Sequence, residues 1–312
     1  MTWLWIVLIV LAVLVLAGIA GGSFYAFHFI FGKPKRSKDV PESYKDSPHY
    51  KVSRAGMKIM NQLPVEDVYI TSRDGLRLHA YLYPAESGNQ KFILGIHGYR
   101  SYARPEYGPY IDFYRKLGYS MLLPDDRAHA PSEGEYIGFG VLDRLDCVDW
   151  AKYLVNRFGE NTEILLHGVS MGSATVLAAS GEEDLPKQVQ GIIADCGYTS
   201  AWDILCYETR HMAHIPVHPI IPLCEKICRH KAGFGFHEYT PLEQVKKAKV
   251  PILFVHGAKD QMVPVEMAHR LYEACSSRKK LLIVDEAAHA ESIAFAPEEY
   301  HRAILEFFGI QK

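Results

Sequence analysis

A serine between two glycines is the feature of this sequence that most clearly suggests chemistry. Ser170 lies in the pentapeptide GVSMG, residues 168–172, directly after the apolar run 164–166. A strand that enters such a sequence and a helix that leaves it form a sharp turn, which lifts the serine hydroxyl clear of the backbone. Small residues on either side avoid a steric clash, and the amides at the start of the helix favour negative charge. We therefore predict that Ser170 is a nucleophile.

A serine hydroxyl needs a general base, and the base needs an acid that orients it. Residues of both types follow predicted strands further along the chain. Asp260 comes shortly after the apolar run 252–255, and His289 lies in the loop after the run 280–284. The sequence has 15 histidines, so position rather than residue type singles out His289. Asp195, at the end of an earlier predicted strand, is the alternative acid.

From residue 92 onward, apolar runs of strand length alternate with helical patterns. Strands this apolar, alternating with helices, predict a mainly parallel sheet that is covered on both faces. The runs 66–71 and 76–83, joined by a turn at Asp74 and Gly75, predict an antiparallel hairpin before it. The predicted strands are 92–96, 120–123, 163–166, 190–194, 252–255 and 280–284, and the predicted helices are 51–62, 106–117, 141–158, 173–179, 265–274 and 298–308.

Residues 199–240 interrupt this alternation. They include prolines at 216, 219 and 222 and histidines at 211, 214 and 218. A structureless loop of this length would be unusual in a compact domain. We therefore predict a small helical cap over the carboxyl edge of the sheet, beside Ser170, where such sheets bind ligands.

The amino-terminal segment, residues 3–31, contains no charged residue, and 24 of its 29 residues are apolar. As a helix it would be about 43 Å long, more than the roughly 30 Å of a bilayer core. The basic residues Lys33, Lys35, Arg36 and Lys38 follow it, and the positive-inside rule places that end in the cytoplasm. We predict a single membrane anchor with the remaining chain in the cytoplasm. A cleaved secretory signal is the alternative, although no Lys or Arg precedes the apolar run.

Composition excludes other classes of protein. The 34 basic residues nearly balance the 36 acidic ones, so no broad electrostatic attraction for nucleic acid is expected. The six cysteines form no compact disulfide pattern. A metal site would have to use Cys224 and Cys228 with His230 and His237, and this spacing matches no standard zinc pattern. We therefore expect neither a metal nor a cofactor.

From about residue 65 to its end, the sequence resembles the α/β-hydrolase superfamily. It is most similar to the branch of small, often membrane-tethered serine hydrolases with short caps. The order Ser170, Asp260, His289 is the one found in that fold. The resemblance implies an α/β-hydrolase fold, with backbone N–H groups of Tyr99 and Met171 forming an oxyanion hole. The matching segments are GIHGY at 95–99, GVSMG at 168–172, ADCGYTS at 194–200, HGAKD at 256–260 and AHA at 288–290.

The sequence departs from its relatives in two loops. Ala128, Ala130 and Ala288 stand where relatives usually have glycine, which leaves every reacting group in place. The chain therefore divides into a transmembrane anchor at 1–32, a tether and short helix at 33–62, and a hydrolase domain at 63–312.

The function that follows is that of a serine hydrolase. We expect it to cleave an ester or thioester of a small-molecule or acylated substrate through an acyl-enzyme. A peptidase or amidase with the same triad is one alternative, because this fold cleaves both bond types. A catalytically idle, membrane-anchored binding module is another, although such a module has no need of the serine, the acid and the histidine together. No nucleic acid partner is expected, and no oligomeric state is indicated.

Overall fold

The computed structural model of the protein describes residues 2–34, 45–86, 88 and 90–311. Most of the predicted tether lies outside the described residues, as do Lys35, Arg36 and Lys38 of the basic cluster.

A single eight-stranded sheet forms the centre of the described part of the chain. Its strands are β1 (Glu66–Thr71), β2 (Arg77–Tyr83), β3 (Lys91–Ile96), β4 (Ser120–Pro124), β5 (Glu163–Val169), β6 (Val189–Asp195), β7 (Ile252–Gly257) and β8 (Lys279–Val284). They lie in the order β1-β2-β4-β3-β5-β6-β7-β8. β2 pairs antiparallel with both β1 and β4, and all other neighbours are parallel. This is the predicted mainly parallel sheet with an antiparallel hairpin at one edge.

Helices cover both faces of the sheet, and others form the amino-terminal segment and the stretch 199–240. The α-helices of the described residues are α1 (Thr2–Phe31), α2 (Pro48–Met60), α3 (Ala103–Tyr107), α4 (Ile111–Lys116), α5 (Asp143–Phe158), α6 (Met171–Ala179), α7 (Ala201–His211), α8 (Val217–Lys231), α9 (Pro241–Gln244), α10 (Val265–Ala274), α11 (Ser292–Phe295) and α12 (Pro297–Phe308). One apolar cluster includes Trp150 and Leu271, from α5 and α10, and another includes Tyr110 and Tyr300. Burial on both faces explains why β3 to β7 are apolar throughout rather than alternating.

The helix predicted over residues 106–117 is divided in the structure. A 3₁₀ turn at Gly108–Tyr110 separates α3 from α4. Pro109 lacks a backbone donor, and Gly108 lies against α2 so closely that a Cβ at Gly56 would overlap its carbonyl oxygen. The break therefore comes from a proline and from a tertiary contact that the hydrophobic periodicity does not reveal.

The stretch 199–240 contains the two helices α7 and α8, in agreement with the predicted helical cap. Ser200 caps the start of α7 by accepting a hydrogen bond from the amide of Asp203. Buried residues of this stretch, among them Ile204, Ile221 and Cys224, pack in a cluster separate from the two core clusters. Cys224 is thus an apolar packing residue of the cap.

Among the described residues, α1 is the helix long and apolar enough to cross a membrane, over Trp3–Phe31. Its amino-terminal two thirds are exposed, whereas Phe27 and Phe31 are completely buried against the rest of the chain. The helix is therefore attached to the hydrolase domain by packing as well as by the peptide chain.

Candidate active site

The turn between β5 and α6 holds Ser170 in a strained conformation. Its backbone has φ 56° and ψ −115°, in a region that residues with a side chain rarely occupy. The two glycines of the pentapeptide permit this turn by close approach. A Cβ at Gly168 would overlap the carbonyl group of Gly172, and a Cβ at Gly172 would overlap that of Ile96 at the end of β3. The local sequence thus brings Ser170 to the carboxyl edge of the sheet.

The structure brings the three predicted catalytic residues into one hydrogen-bonded chain. The Oγ of Ser170 lies 2.9 Å from Nε2 of His289, and Nδ1 of His289 lies 2.7 Å from Oδ2 of Asp260. Because a carboxylate only accepts, Nδ1 of the histidine carries the proton and Nε2 is free to accept from the serine hydroxyl. The base is therefore oriented in the tautomer that a nucleophilic serine requires.

Asp260 has hydrogen-bond donors on both carboxylate oxygens. The amides of Met262 and Val263 each donate to Oδ1 at 2.9 Å, and His256 Nε2 lies 3.2 Å from Oδ2 beside the bond from His289. Burial alone would raise the pKa of Asp260. The hydrogen bonds from His256 and His289 outweigh burial and hold the pKa of this carboxyl below its usual range. Asp260 is therefore ionised at neutral pH.

Two opposing effects determine the pKa of His289. Burial on its own would lower the pKa of His289, because it disfavours the charged imidazolium. The hydrogen bond and negative charge of Asp260 outweigh burial, with smaller contributions from Asp195 and Glu106, and the pKa is raised above its usual value. The site is thus arranged to stabilise the imidazolium that forms when the histidine accepts a proton.

Asp195, the alternative acid, is buried at the end of β6 but its carboxylate forms no hydrogen bond with His289. Burial raises its pKa to about 7, although the electrostatic interaction with His256 acts against this. Its backbone carbonyl accepts a hydrogen bond from the amide of Ser170. Asp195 therefore contacts the turn at Ser170 through its backbone, whereas Asp260 is the aspartate that is hydrogen-bonded to His289.

The amides of Met171 and Tyr99 are the predicted donors of an oxyanion hole. Met171 is the first residue of α6, so no carbonyl of that helix accepts its amide hydrogen. Tyr99 follows Gly98, and a Cβ at Gly98 would lie 3.4 Å from the Cβ of Ser170. The amide of Met171 thus lacks a partner within its helix next to Ser170, and the amide of Tyr99 follows a glycine that packs against Ser170.

Two residues near the site were not predicted from the sequence. The buried carboxylate of Glu106 accepts a hydrogen bond from the amide of Gly98 at 3.3 Å. His49 of α2 lies 4.0 Å from Glu106, and its Nδ1 lies 3.0 Å from the carbonyl oxygen of Ala290, the residue after His289. Glu106 and His49 are far apart in sequence and belong to no motif, so their proximity to the site could be found only from the fold.

One group near the triad has the ligand types of a metal site. A sulfur of Cys196, an oxygen of Asp260 and a nitrogen of His289 lie within 4.8 Å of one another. Burial and the neighbouring carboxylates raise the pKa of Cys196 well above its usual range, so its sulfur stays protonated and is a poor ligand. The other two residues are already hydrogen-bonded to each other, and this arrangement favours a proton-transfer site.

The cap lies beside these residues. Glu208 of α7 is close enough that the charge of His289 affects its pKa, which burial nonetheless raises. Trp202 and Tyr207 are half-buried on the same helix, whereas Met212 and Ile215 are exposed after it. The cap thus brings at least one ionisable side chain, that of Glu208, within electrostatic range of His289.

Comparison with known proteins agrees with this architecture. An esterase of Pyrococcus furiosus has a TM-score of 0.65 and 24% identity, covering 88% of this chain and 98% of that one. An acylaminoacyl peptidase of Pyrococcus horikoshii has a TM-score of 0.58 and 17% identity, covering 81% of this chain but 43% of that one. At these identities the likeness shows the fold.

Sequence relatives extend over most of the chain. The YqkD protein of Bacillus subtilis is 26% identical over 96% of both chains. A membrane protein of Saccharomyces cerevisiae is 26% identical over 74% of this chain and 75% of its own length.

The sheet, its helices and these structural neighbours define an α/β hydrolase. Residues 140–310 match the model of the prolyl oligopeptidase family, and this range includes Ser170, Asp260 and His289. The chain belongs to that family.

Proposed function

We propose that the protein is a serine hydrolase that cleaves an ester or thioester through an acyl-enzyme, with Ser170, His289 and Asp260 as its catalytic triad. The observation that carries this proposal is the unbroken hydrogen-bonded chain from the serine hydroxyl through His289 to Asp260, at 2.9 and 2.7 Å. Such a chain needs no further rearrangement before proton transfer, because both distances are within hydrogen-bonding range.

In the first half-reaction, the Oγ of Ser170 attacks the substrate carbonyl carbon while Nε2 of His289 accepts the hydroxyl proton. The carbonyl oxygen becomes an oxyanion that the amides of Tyr99 and Met171 stabilise. As the tetrahedral intermediate collapses, the carbon–leaving group bond breaks and His289 donates its proton to the alcohol or thiol. Water then attacks the acyl-enzyme by the same route, which releases the acid and restores the serine.

An ester or thioester substrate is supported by the structural likeness to the esterase, which extends over 88% of this chain and 98% of the esterase. The membership in the prolyl oligopeptidase family keeps a peptidase or amidase activity as a second candidate.

A panel of substrates tests this proposal on the full chain in detergent. We expect hydrolysis of short p-nitrophenyl esters and acyl-thioesters, and slower hydrolysis of aminoacyl amides. A Ser170→Ala variant from the same preparation measures contaminating activity. Amides cleaved faster than esters of the same acyl group would favour a peptidase. Activity equal to that of Ser170→Ala on every substrate would contradict the proposal.

The protein is further proposed to be anchored in a membrane by α1, with its catalytic domain in the cytoplasm. The uncharged helix and the basic residues after it support this arrangement, as does the yeast relative described as a membrane protein. Protease added to intact cells should leave the domain undigested, and the mature protein should retain Trp3 and Trp5. Digestion from outside, or a mature chain that begins near Ser23, would contradict this topology.

A further inference from the structure

The end of α1 is bound to the hydrolase domain along one face. Ser23, Phe27 and Phe31 are completely buried, and they recur every four residues, the spacing of one helix face. Every residue from 3 to 22 except Ile19 is exposed. These 20 residues would extend about 30 Å, which matches the hydrocarbon core of a bilayer. The surplus length of the apolar segment is therefore the part that packs on the domain.

Aromatic side chains hold this docked end, which we define as residues 23–32. The ring of Phe31 stacks on Phe236 at 5.3 Å between centroids and contacts Phe139 at 4.9 Å. Phe27 lies 5.1 Å from the ring of Tyr136. The docked end also runs beside the cap helix α8. It therefore fills a position between the cap and the loop around residues 136–139.

The last four carbonyl groups of a helix have no partner within the helix. In α1 the domain supplies three of the four donors. The amide of Ile137 donates to the carbonyl of Phe31 at 2.7 Å, and the hydroxyl of Tyr99 donates to that of Ile30 at 2.8 Å. The side chain of Arg100 donates to the carbonyl of Phe29. Two of these donors thus belong to consecutive residues of the loop that follows Gly98.

This loop contains the amide of Tyr99, the proposed oxyanion donor, directly after Gly98, which packs against Ser170. Arg100, directly after Tyr99, has a positive φ of 54°, so the loop adopts a conformation that external contacts must maintain. The ring of Tyr99 packs 5.2 Å from Phe139, which itself contacts Phe31. The side chain of Tyr99 is therefore held to α1, and its backbone follows the glycine that packs against Ser170.

We propose that the docked end of α1 positions the oxyanion loop, and that the hydroxyl of Tyr99 is the positioning group that connects them. This inference rests on the proposed function, because it assigns a role in stabilising the oxyanion. Oxyanion donors must lie within a few tenths of an ångström of their working position, and loss of one donor typically lowers kcat by 10²–10³-fold. The membrane helix is then a part of the catalytic domain as well as an anchor.

Two variants of the full chain in detergent test the proposal. Tyr99→Phe keeps the ring and the backbone amide but removes the bond to Ile30, and Phe31→Ala removes the aromatic contacts of the docked end. Phe24→Ala is the matched control, because Phe24 lies on the exposed face of the same helix. Each protein is titrated with a fluorophosphonate, so that kcat is expressed per reactive serine and unfolded molecules are not counted.

For a short p-nitrophenyl ester, we expect Tyr99→Phe to lower kcat per titrated site by about 10-fold with KM changed less than about twofold, since the donor acts mainly on the transition state. Phe31→Ala should lower kcat in the same direction, and Phe24→Ala should match the wild type. A loss of folding alone would reduce the number of titrated sites and leave kcat per site unchanged. That result for Tyr99→Phe would overturn the inference, whereas a wild-type protein that neither reacts with the probe nor hydrolyses the ester would instead overturn the proposed function.

Discussion

Two buried aspartates lie at the carboxyl edge of the sheet, Asp195 at the end of β6 and Asp260 in the loop after β7. Their pKa values are shifted in opposite directions. Asp260 accepts hydrogen bonds from two backbone amides and from His289, and its pKa is lowered. Asp195 has none of these donors, and burial raises its pKa to about 7. Burial is common to both residues. The difference shows that the hydrogen bonds from His256 and His289 keep Asp260 ionised despite its burial.

The largest effect should follow from removing the charge of Asp260. Asp260→Asn should lower kcat by about 10⁴-fold, because an amide stabilises neither the required tautomer of His289 nor the imidazolium. Steady-state kinetics on a short ester measures this, and circular dichroism checks the fold. If Asp195→Asn caused the larger loss of activity, Asp195 would be the acid and the assignment of Asp260 would be wrong.

The pH profile of the same variant separates charge from geometry. Only neutral His289 accepts the serine proton, so kcat/KM should fall as the pH decreases through the raised pKa of His289, which lies above about 6.5. Asp260→Asn removes the main cause of that raised pKa, and the acidic limb should move to lower pH. An acidic limb at the same or a higher pH in the variant would contradict the role given to the Asp260 charge.

Asp195→Asn should have a small effect on activity, within about threefold of the wild type, and a larger effect on the pH dependence of stability. The pKa of Asp195 is raised to about 7 in the folded chain, against about 3.9 when unfolded, so the folded state binds the proton more tightly. Its contribution to stability is present below pH 4 and is lost as the pH rises to 7. The asparagine side chain of the variant does not titrate, so this loss of stability with rising pH should be absent from the variant.

Thermal unfolding at pH 5 and pH 8 measures that difference. The wild-type chain should lose more stability than Asp195→Asn between these two conditions. An equal loss in both proteins would show that Asp195 is not protonated in the folded chain at low pH.

The smallest effect on rate is expected from the cap, and it should depend on the substrate. Changes at Asp260 or Asp195 should affect every substrate alike. We expect the cap residues to contact the acyl group instead, and the candidates are Trp202, Tyr207, Met212 and Ile215. Replacing these four residues by alanine should change the preferred acyl length in a series of p-nitrophenyl esters from acetate to dodecanoate. An unchanged chain-length profile would show that the cap is only structural.

The strands and the candidate triad could be predicted from the sequence because each depends on a local pattern. The apolar runs are buried on both faces, and Ser170, Asp260 and His289 each follow such a run at the carboxyl edge. Parallel strands bring these edges together whatever the intervening loops contain. The alanine at position 128 is a further local feature, since it adopts the positive φ of 64° that glycine would adopt more easily.

The contacts between distant segments could not be predicted in this way. Glu106 was expected to begin a helix, whereas it lies within α3 and its carboxylate accepts a hydrogen bond from the amide of Gly98. The burial of Phe27 and Phe31 could not be separated from lipid exposure, since both environments favour the same apolar residues. Only the packed structure distinguishes the docked end of α1 from its exposed part.

The proposed mechanism depends on Ser170 as the nucleophile, and covalent labelling identifies the nucleophile without any choice of substrate. The full chain in detergent is treated with a fluorophosphonate, digested, and analysed by mass spectrometry to locate the modified residue. We expect a single adduct on Ser170 and no labelling of a folded Ser170→Ala protein. An adduct on another residue, or labelling that persists in the Ser170→Ala protein, would contradict the proposed mechanism.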